Sequence, residues 1–233
     1  MRSWRSPGSC FGQEIRFDKA EIDRMCEDAL REAKMLPASP EPIRIDRFIE
    51  KHFGCRFAYE DIAEGVLGCT MFRADGGIAL VAVSPTLDDG TVVGRRRFRS
   101  TSAHEAGHCL MHPILFMQNP DQMNLEYREN LDFGRRRIMC RFDDLAGRGK
   151  GYDGRWWEYQ ANRAIGGLLL PKRLVSAAVG HLVKRTELLG TEILDVEDRK
   201  NAESVVADAF DVNPVVARIR LAEMFPETGQ MVM

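Results

Sequence analysis

Apolar residues recur at helical spacing from Lys19 to Leu36, where Ile22, Met25, Cys26, Leu30, Ala33 and Leu36 share one face. Asp18 followed by Glu21 supplies a capping-box variant at the front of this stretch, and the Pro-rich run Pro37 to Pro42 breaks it. A second helix is predicted from Ile43 to Phe53, with Ile45, Phe48, Ile49 and Phe53 turned inward and Gly54 closing it. From Cys55 the apolar period shortens. Cys55 to Glu60, Gly65 to Phe72 and Gly77 to Ser84 are short β-like runs separated by turn residues such as Asp75-Gly76-Gly77. Ile78 to Val83 is apolar throughout, which predicts a central or cleft-lining strand.

Asp88-Asp89-Gly90 marks a turn, and no proline follows from Val92 until Pro113, so a long helix is expected between them. Phe98, Ala103, Ala106, Gly107, Leu110 and Met111 give it an apolar surface fit for burial. Residues 114–155 carry little periodicity and much Asn, Asp, Arg and Gly, as a lid or a disordered insert would. Trp156 to Leu170 predicts a helix stopped by Pro171, with Gly166-Gly167 expected where the preceding long helix approaches closely. Helices are predicted over 171–189, 191–210 and from Pro214 through Met224, the last pair resembling a helix-turn-helix. The expected organisation is a flexible tail over 1–17, an α+β domain over 18–171 and a helical part over 172–233.

A net charge of −2 gives no general attraction to nucleic acid, and no apolar run is long enough for a membrane span. The final helix offers Arg218 and Arg220 beside Glu223, so direct nucleic-acid binding is not expected. Arg95-Arg96-Arg97, Arg99 and Arg135-Arg136-Arg137 are expected to form solvated faces. The N-terminus lacks the apolar segment of a secretory signal, and six scattered Cys without a Cys-x-x-Cys pair predict free thiols and a cytoplasmic setting.

The chemistry concentrates in His104-Glu105-Ala106-Gly107-His108. Residues four apart share a helix face, so His104 and His108 can offer two imidazoles to one metal ion, with zinc the expected one. Glu105 faces to one side, where its carboxylate can act on water as general base. His112 continues the series, but eight residues rise roughly 12 Å along a helix, so it cannot join His104 on one ion. A structural or supporting role is expected for it. A third ligand is needed, and a carboxylate is the natural donor; Glu126 and Glu158 are the candidates. Spacing favours Glu126, whereas Glu158 opens a packed helix with Asn162 one turn on, able to accept a hydrogen bond from a ligand imidazole. Tyr152, Tyr159 and His181 are candidate oxyanion donors. A purely structural zinc site, usually cysteine-filled, is disfavoured.

Arg-rich residues before Phe98, then His-Glu-x-Gly-His at 104–108, Glu-x-x-Ala-Asn at 158–162 and Leu-Leu-x-Pro at 168–171 resemble the ImmA/IrrE metallopeptidases over roughly residues 43–171. The resemblance implies a zincin-like fold, with Glu158 as third zinc ligand beside His104 and His108 and Glu105 as catalytic residue. It implies a cytoplasmic zinc endopeptidase that cleaves a protein partner, a transcriptional repressor, and so relieves repression. Ala164-Ile165 replaces the family's usual Phe-Ala, and the segment between the motifs is longer than is common. The rival expectation, raised by the helix-turn-helix-like end, is a regulatory or DNA- or protein-binding module that keeps the metal site with little peptidase activity.

Overall fold

A computed structural model describes residues 2–5, 13–117, 131–132, 137–141, 155–185 and 192–226. The chain begins with strands β1 (Arg2–Arg5) and β2 (Gln13–Arg16) and helices α1 (Lys19–Glu32) and α2 (Ile45–Phe53). Strands β3 (Arg56–Tyr59), β4 (Val66–Phe72) and β5 (Ile78–Val83) follow, then helices α3 (Val92–Met111) and α4 (Pro113–Phe116). Beyond them come β6 (Leu131–Asp132), β7 (Arg137–Arg141), α5 (Trp156–Leu169) and α6 (Lys172–Val179). The chain ends with β8 (Val183–Arg185), β9 (Glu192–Leu194), α7 (Arg199–Phe210) and α8 (Pro214–Met224). The mixed α+β class expected from the pattern is present. Among the described residues, no helix is long and apolar enough to cross a membrane.

The main sheet has the order β3-β5-β4-β7-β6, with β3 and β5 parallel and the other pairs antiparallel. The apolar strand β5 is therefore interior, but β4 holds the centre. Most of α4 and strands β6 and β7 lie inside the stretch expected to lack structure; its residues 118–130, 133–136 and 142–154 are outside the described residues. Ile138 and Cys140 are fully buried there, because β7 lies against β4 and below α3.

Thr91 caps α3 by accepting a hydrogen bond from the Gly94 N–H at 2.9 Å. From Ser100 to Cys109 the helix is buried on all sides, since the sheet covers one flank and α5 the other. Gly107 makes that approach possible. A Cβ there would lie 2.8 Å from the Ala164 Cβ and 3.1 Å from the Ala161 Cα. The glycine pair in α5 serves other neighbours: Gly167 faces Cys26 of α1, and Gly166 faces Arg220 of α8. A helix packed on two sides needs small residues on each, so the close-approach signal was right in kind and misassigned in partner.

Four further expectations are corrected. Helix α1 stops at Glu32 and not Leu36, because Lys34 turns at φ 56°. Residues 2–5 and 13–16 of the expected tail form an antiparallel hairpin, with Ile15 buried and its carbonyl accepting from Gln160 Nε2 at 2.7 Å. Helix α7 begins at Arg199, because Glu192–Leu194 pairs as a strand with β8. Nor is 171/172 a break in packing. Leu174, Val206, Phe210, Ala217 and Leu221 belong to the same buried cluster as Ile22, Phe48, Trp157 and Leu168. Arg220, fully buried, fastens this arrangement: its Nε donates to the Leu170 carbonyl at 2.9 Å and its Nη1 to Asp23 Oδ1 at 2.7 Å.

The arginine run before the motif is not merely a solvated face. Asp211 ends α7 in the left-handed region at φ 50°, and its carboxylate accepts from Arg95 at 2.7 and 2.9 Å and from Arg96 at 3.1 Å. Arg99 donates to the Asp211 carbonyl at 2.9 Å. These bonds seat the α7–α8 turn on the first half of α3. Of the second arginine run, Arg137 alone is described, half-buried in β7.

The Arg95 hydrogen bonds, helped by Arg96 and opposed by partial burial, hold the Asp211 carboxyl down at about 2. A depressed carboxylate adds stability above its unfolded pKa and loses it as pH falls through the folded one. Asp211→Asn, which tolerates the same backbone conformation, is expected to cost about 1–2 kcal/mol in denaturant unfolding at pH 7, discounted for exposure of Arg95. That difference should shrink between about pH 4 and pH 2. Gly107→Ala should lower stability by roughly 1–3 kcal/mol in the same assay, although Ala at an unhindered helical Gly would raise it by about 1 kcal/mol.

Candidate metal centre

The four-residue spacing on α3 sets the His104 and His108 rings side by side, with their Nε2 atoms 3.0 Å apart. Across the Gly107 crossing, the first turn of α5 brings in Glu158, whose Oε2 lies 3.1 Å from His104 Nε2 and 3.6 Å from His108 Nε2. A carboxylate in a first turn also gains from the helix dipole. One turn further along α5, Asn162 Oδ1 stands 3.0 Å from His104 Nδ1. On α3, His112 Nδ1 stands 2.8 Å from His108 Nδ1. His104, His108 and His112 are fully buried, and Glu158 is nearly so.

These contacts assign the tautomers. An amide oxygen accepts only, so His104 Nδ1 carries the proton and its Nε2 presents a lone pair. If His108 Nδ1 donates to His112, its Nε2 does the same. Two lone pairs and a carboxylate oxygen then face one another in a dry space, an arrangement that repels itself unless a cation sits between them. A tetrahedral ion bound at about 2.0–2.1 Å separates its ligand atoms by roughly 3.3–3.4 Å, close to the distances found. Glu158 Oε1 is buried without a hydrogen-bond partner, as an oxygen kept for an ion would be. His104, His108 and Glu158 form a buried cluster that could hold a metal ion.

Electrostatics favours the ligating forms of Glu158 and His108 and opposes that of His104. Burial works against the Glu158 charge, yet His108 and His104 outweigh it, and its pKa falls well below the usual carboxylate range. Burial pushes His108 and His112 down, so both stay neutral, the form that binds metals. His104 is shifted upward despite burial, through its contacts with Cys140 and Glu158.

Glu105 stands beside the ligand set on its sheet side, with a carboxylate oxygen within 4.8 Å of a His104 ring nitrogen. Thr70 Oγ1 donates to its Oε2 at 2.6 Å, and Gly68 leaves it room, since a Cβ at 68 would collide with Oε1. The ligand set and the neighbouring carboxylate thus have separate supports, α5 and the end of α3 for one and β4 for the other.

Of the candidates for third ligand, Glu158 is the one brought to the two imidazoles; Glu126 lies outside the described residues. His112 supports His108, and Asn162 supports His104. Of the oxyanion candidates, Tyr159 is 51% exposed on α5 and His181 is exposed after α6, while Tyr152 lies outside the described residues. Gly68, Thr70 and Cys140 went unnoticed in the sequence. Strand alternation could have put Gly68 and Thr70 on one face, but nothing local marks that face as the one beneath Glu105.

No protein-family model matches the chain, and no curated protein matches it.

Removing the partner of a ligand imidazole typically costs 10–100-fold in metal affinity. Asn162→Ala is therefore expected to weaken metal retention by about that factor in chelator competition, with the circular dichroism spectrum unchanged.

Proposed function

We propose that this chain is a zinc-dependent endopeptidase with a zincin-like fold, of the ImmA/IrrE type that its motifs resemble. Its substrate is a partner protein, a transcriptional repressor, met in the cytoplasm. The observation that carries this reading is a division of labour within one buried cluster. His104, His108 and Glu158 converge on a point, while Glu105 stays outside that set with a hydrogen-bonded carboxylate of its own.

Three nitrogen and oxygen ligands with a fourth position to spare suit a catalytic zinc better than a structural one. Zinc bound there supplies Lewis-acid polarisation of a peptide carbonyl and makes water acidic enough to ionise near neutral pH. Glu105 takes the proton from the attacking water and later delivers it to the leaving amine. Thr70 restricts which carboxylate oxygen is available, since its hydroxyl occupies Oε2. Asn162 and His112 hold the outer ring nitrogens, so the imidazoles keep both orientation and tautomer.

The rival reading, a DNA-binding module with a retained metal site, has fewer residues to draw on. Arg95, Arg96 and Arg99 are engaged by the end of α7, and Arg220 is buried.

Glu105→Gln keeps shape and removes basicity. Zinc-loaded wild type, incubated with a protein extract, is expected to create new peptide N-termini detectable by terminal labelling and mass spectrometry. Glu105→Gln should retain its zinc and produce them at least about 100-fold more slowly. Equal production by both proteins, or none by the zinc-loaded wild type, would sink the peptidase assignment.

A further inference from the structure

Strand β3 is an edge of the main sheet and, among the described residues, is bonded to β5 alone. Strand alternation puts Phe57 and Tyr59 on one face, where both meet Phe98 of α3. The Tyr59 ring stacks on Phe98 with centroids 5.3 Å apart and planes 7° from parallel. Phe57 stands edge-on to both rings, at 5.6 and 6.0 Å. One face of the Tyr59 ring is thus taken, yet the residue is 55% exposed. Three carboxylates act on this ring from α2 and from the turn before α3. Asp46 and Glu50 lie one turn apart on α2, and Asp88 ends the short helical turn Pro85–Leu87. Burial, then Asp46, Asp88 and Glu50, push the Tyr59 phenol upward, and no described cation is among the groups acting on it. None of the three carboxylates has a hydrogen bond or ion pair among the described residues. Arg99, which feels Asp46, gives its donors to the Asp211 and Phe210 carbonyls.

We infer that this sheet edge is a docking surface for an arginine-bearing segment of a partner protein, whose guanidinium lies on the open face of Tyr59 while its backbone runs beside β3. The electron-rich ring face attracts a cation. Three like charges without partners steer a cation there and give the surface its sign. Arginine suits the place better than lysine, because a planar guanidinium both stacks on a ring and takes a carboxylate with two hydrogen bonds. The outer edge of β3 adds main-chain donors and acceptors for an extended segment. Nucleic acid and anionic lipid are repelled by the same carboxylates. A small cation would use the ring and leave the strand edge idle. The surface draws on none of the residues of the candidate metal centre, so it is independent of the peptidase reading.

Titration of the intact protein with the peptide acetyl-Gly-Val-Arg-Val-Gly-amide at low salt tests this, read by calorimetry and by the ring NMR signals of Tyr59 and Phe98. Wild type is expected to bind the peptide with shifts at both rings, and to ignore the same peptide with Glu in place of Arg. Tyr59→Phe keeps the ring and should match wild type, whereas Tyr59→Ala should weaken binding about 2–5-fold. The triple variant Asp46→Asn, Glu50→Gln and Asp88→Asn keeps side-chain shape and should weaken it further than Tyr59→Ala does. A matched triple at exposed acids elsewhere, Asp28→Asn, Asp75→Asn and Glu197→Gln, removes the same charge and should leave binding within about 2-fold of wild type. No binding by wild type, binding without movement of the Tyr59 ring, or equal loss in the two triples would overturn the assignment. Arginine amide binding as tightly as the peptide would overturn it too, in favour of a small cation. Circular dichroism of each variant separates lost binding from lost folding.

Discussion

The close crossing of α3 and α5 is the constraint on which the candidate site depends. Two imidazoles on one helix can only ever be two ligands. The third must come from another backbone held near enough for a short carboxylate side chain to reach. Gly107 allows that distance, and Ala161 and Ala164 on the facing helix are small for the same reason. The residue that lets the helices touch lies between the two histidines, so metal geometry and helix packing are set at one place. A bulkier side chain at 107 would push Glu158 away from both rings.

That crossing also dictates the polarity of the core. Ser100 to Cys109 includes two histidines and a glutamate with no exposure to solvent, in a region otherwise built of Ala, Leu, Trp and Ile. Burial makes each such group expensive on its own, and the structure answers with mutual satisfaction. Thr70 serves Glu105, Asn162 serves His104, and His112 serves His108. Each partner comes from a different register position, on β4, α5 and α3, so the set forms only when the sheet and both helices are correctly placed.

How much of this was legible depends on the range of the interactions. Most of the helices and strands β3, β4 and β5 were readable because capping, periodicity and proline breaks are local, and Thr91 or Gly54 act on their immediate neighbours. The histidine pair was legible for the same reason: its geometry follows from spacing on a single helix. Glu158 needed the resemblance to be preferred over Glu126, because nothing in the residues specifies which distant helix approaches. Gly68, Thr70 and Cys140 could not be found, since their placement depends on strand pairing and on packing of the sheet against α3 that join residues 35 apart or more. The arginine run was misjudged because its partners, Asp208 and Asp211, are more than 100 positions away. The N-terminal hairpin was missed because Ile15 gains burial only after α5 exists to cover it.

The buried guanidinium of Arg220 has a bearing on how the molecule comes into being. It joins α8 to Asp23 of α1, residues 197 apart in sequence, and to the carbonyl that ends α5. Closing so large a loop carries an entropic cost that is met only once the contacts at its far end are made. During synthesis, the helix bearing Glu158 therefore leaves the ribosome before its final brace has been translated. The candidate ion-binding corner can then mature only after α8 has been made and has docked against α1 and the end of α5.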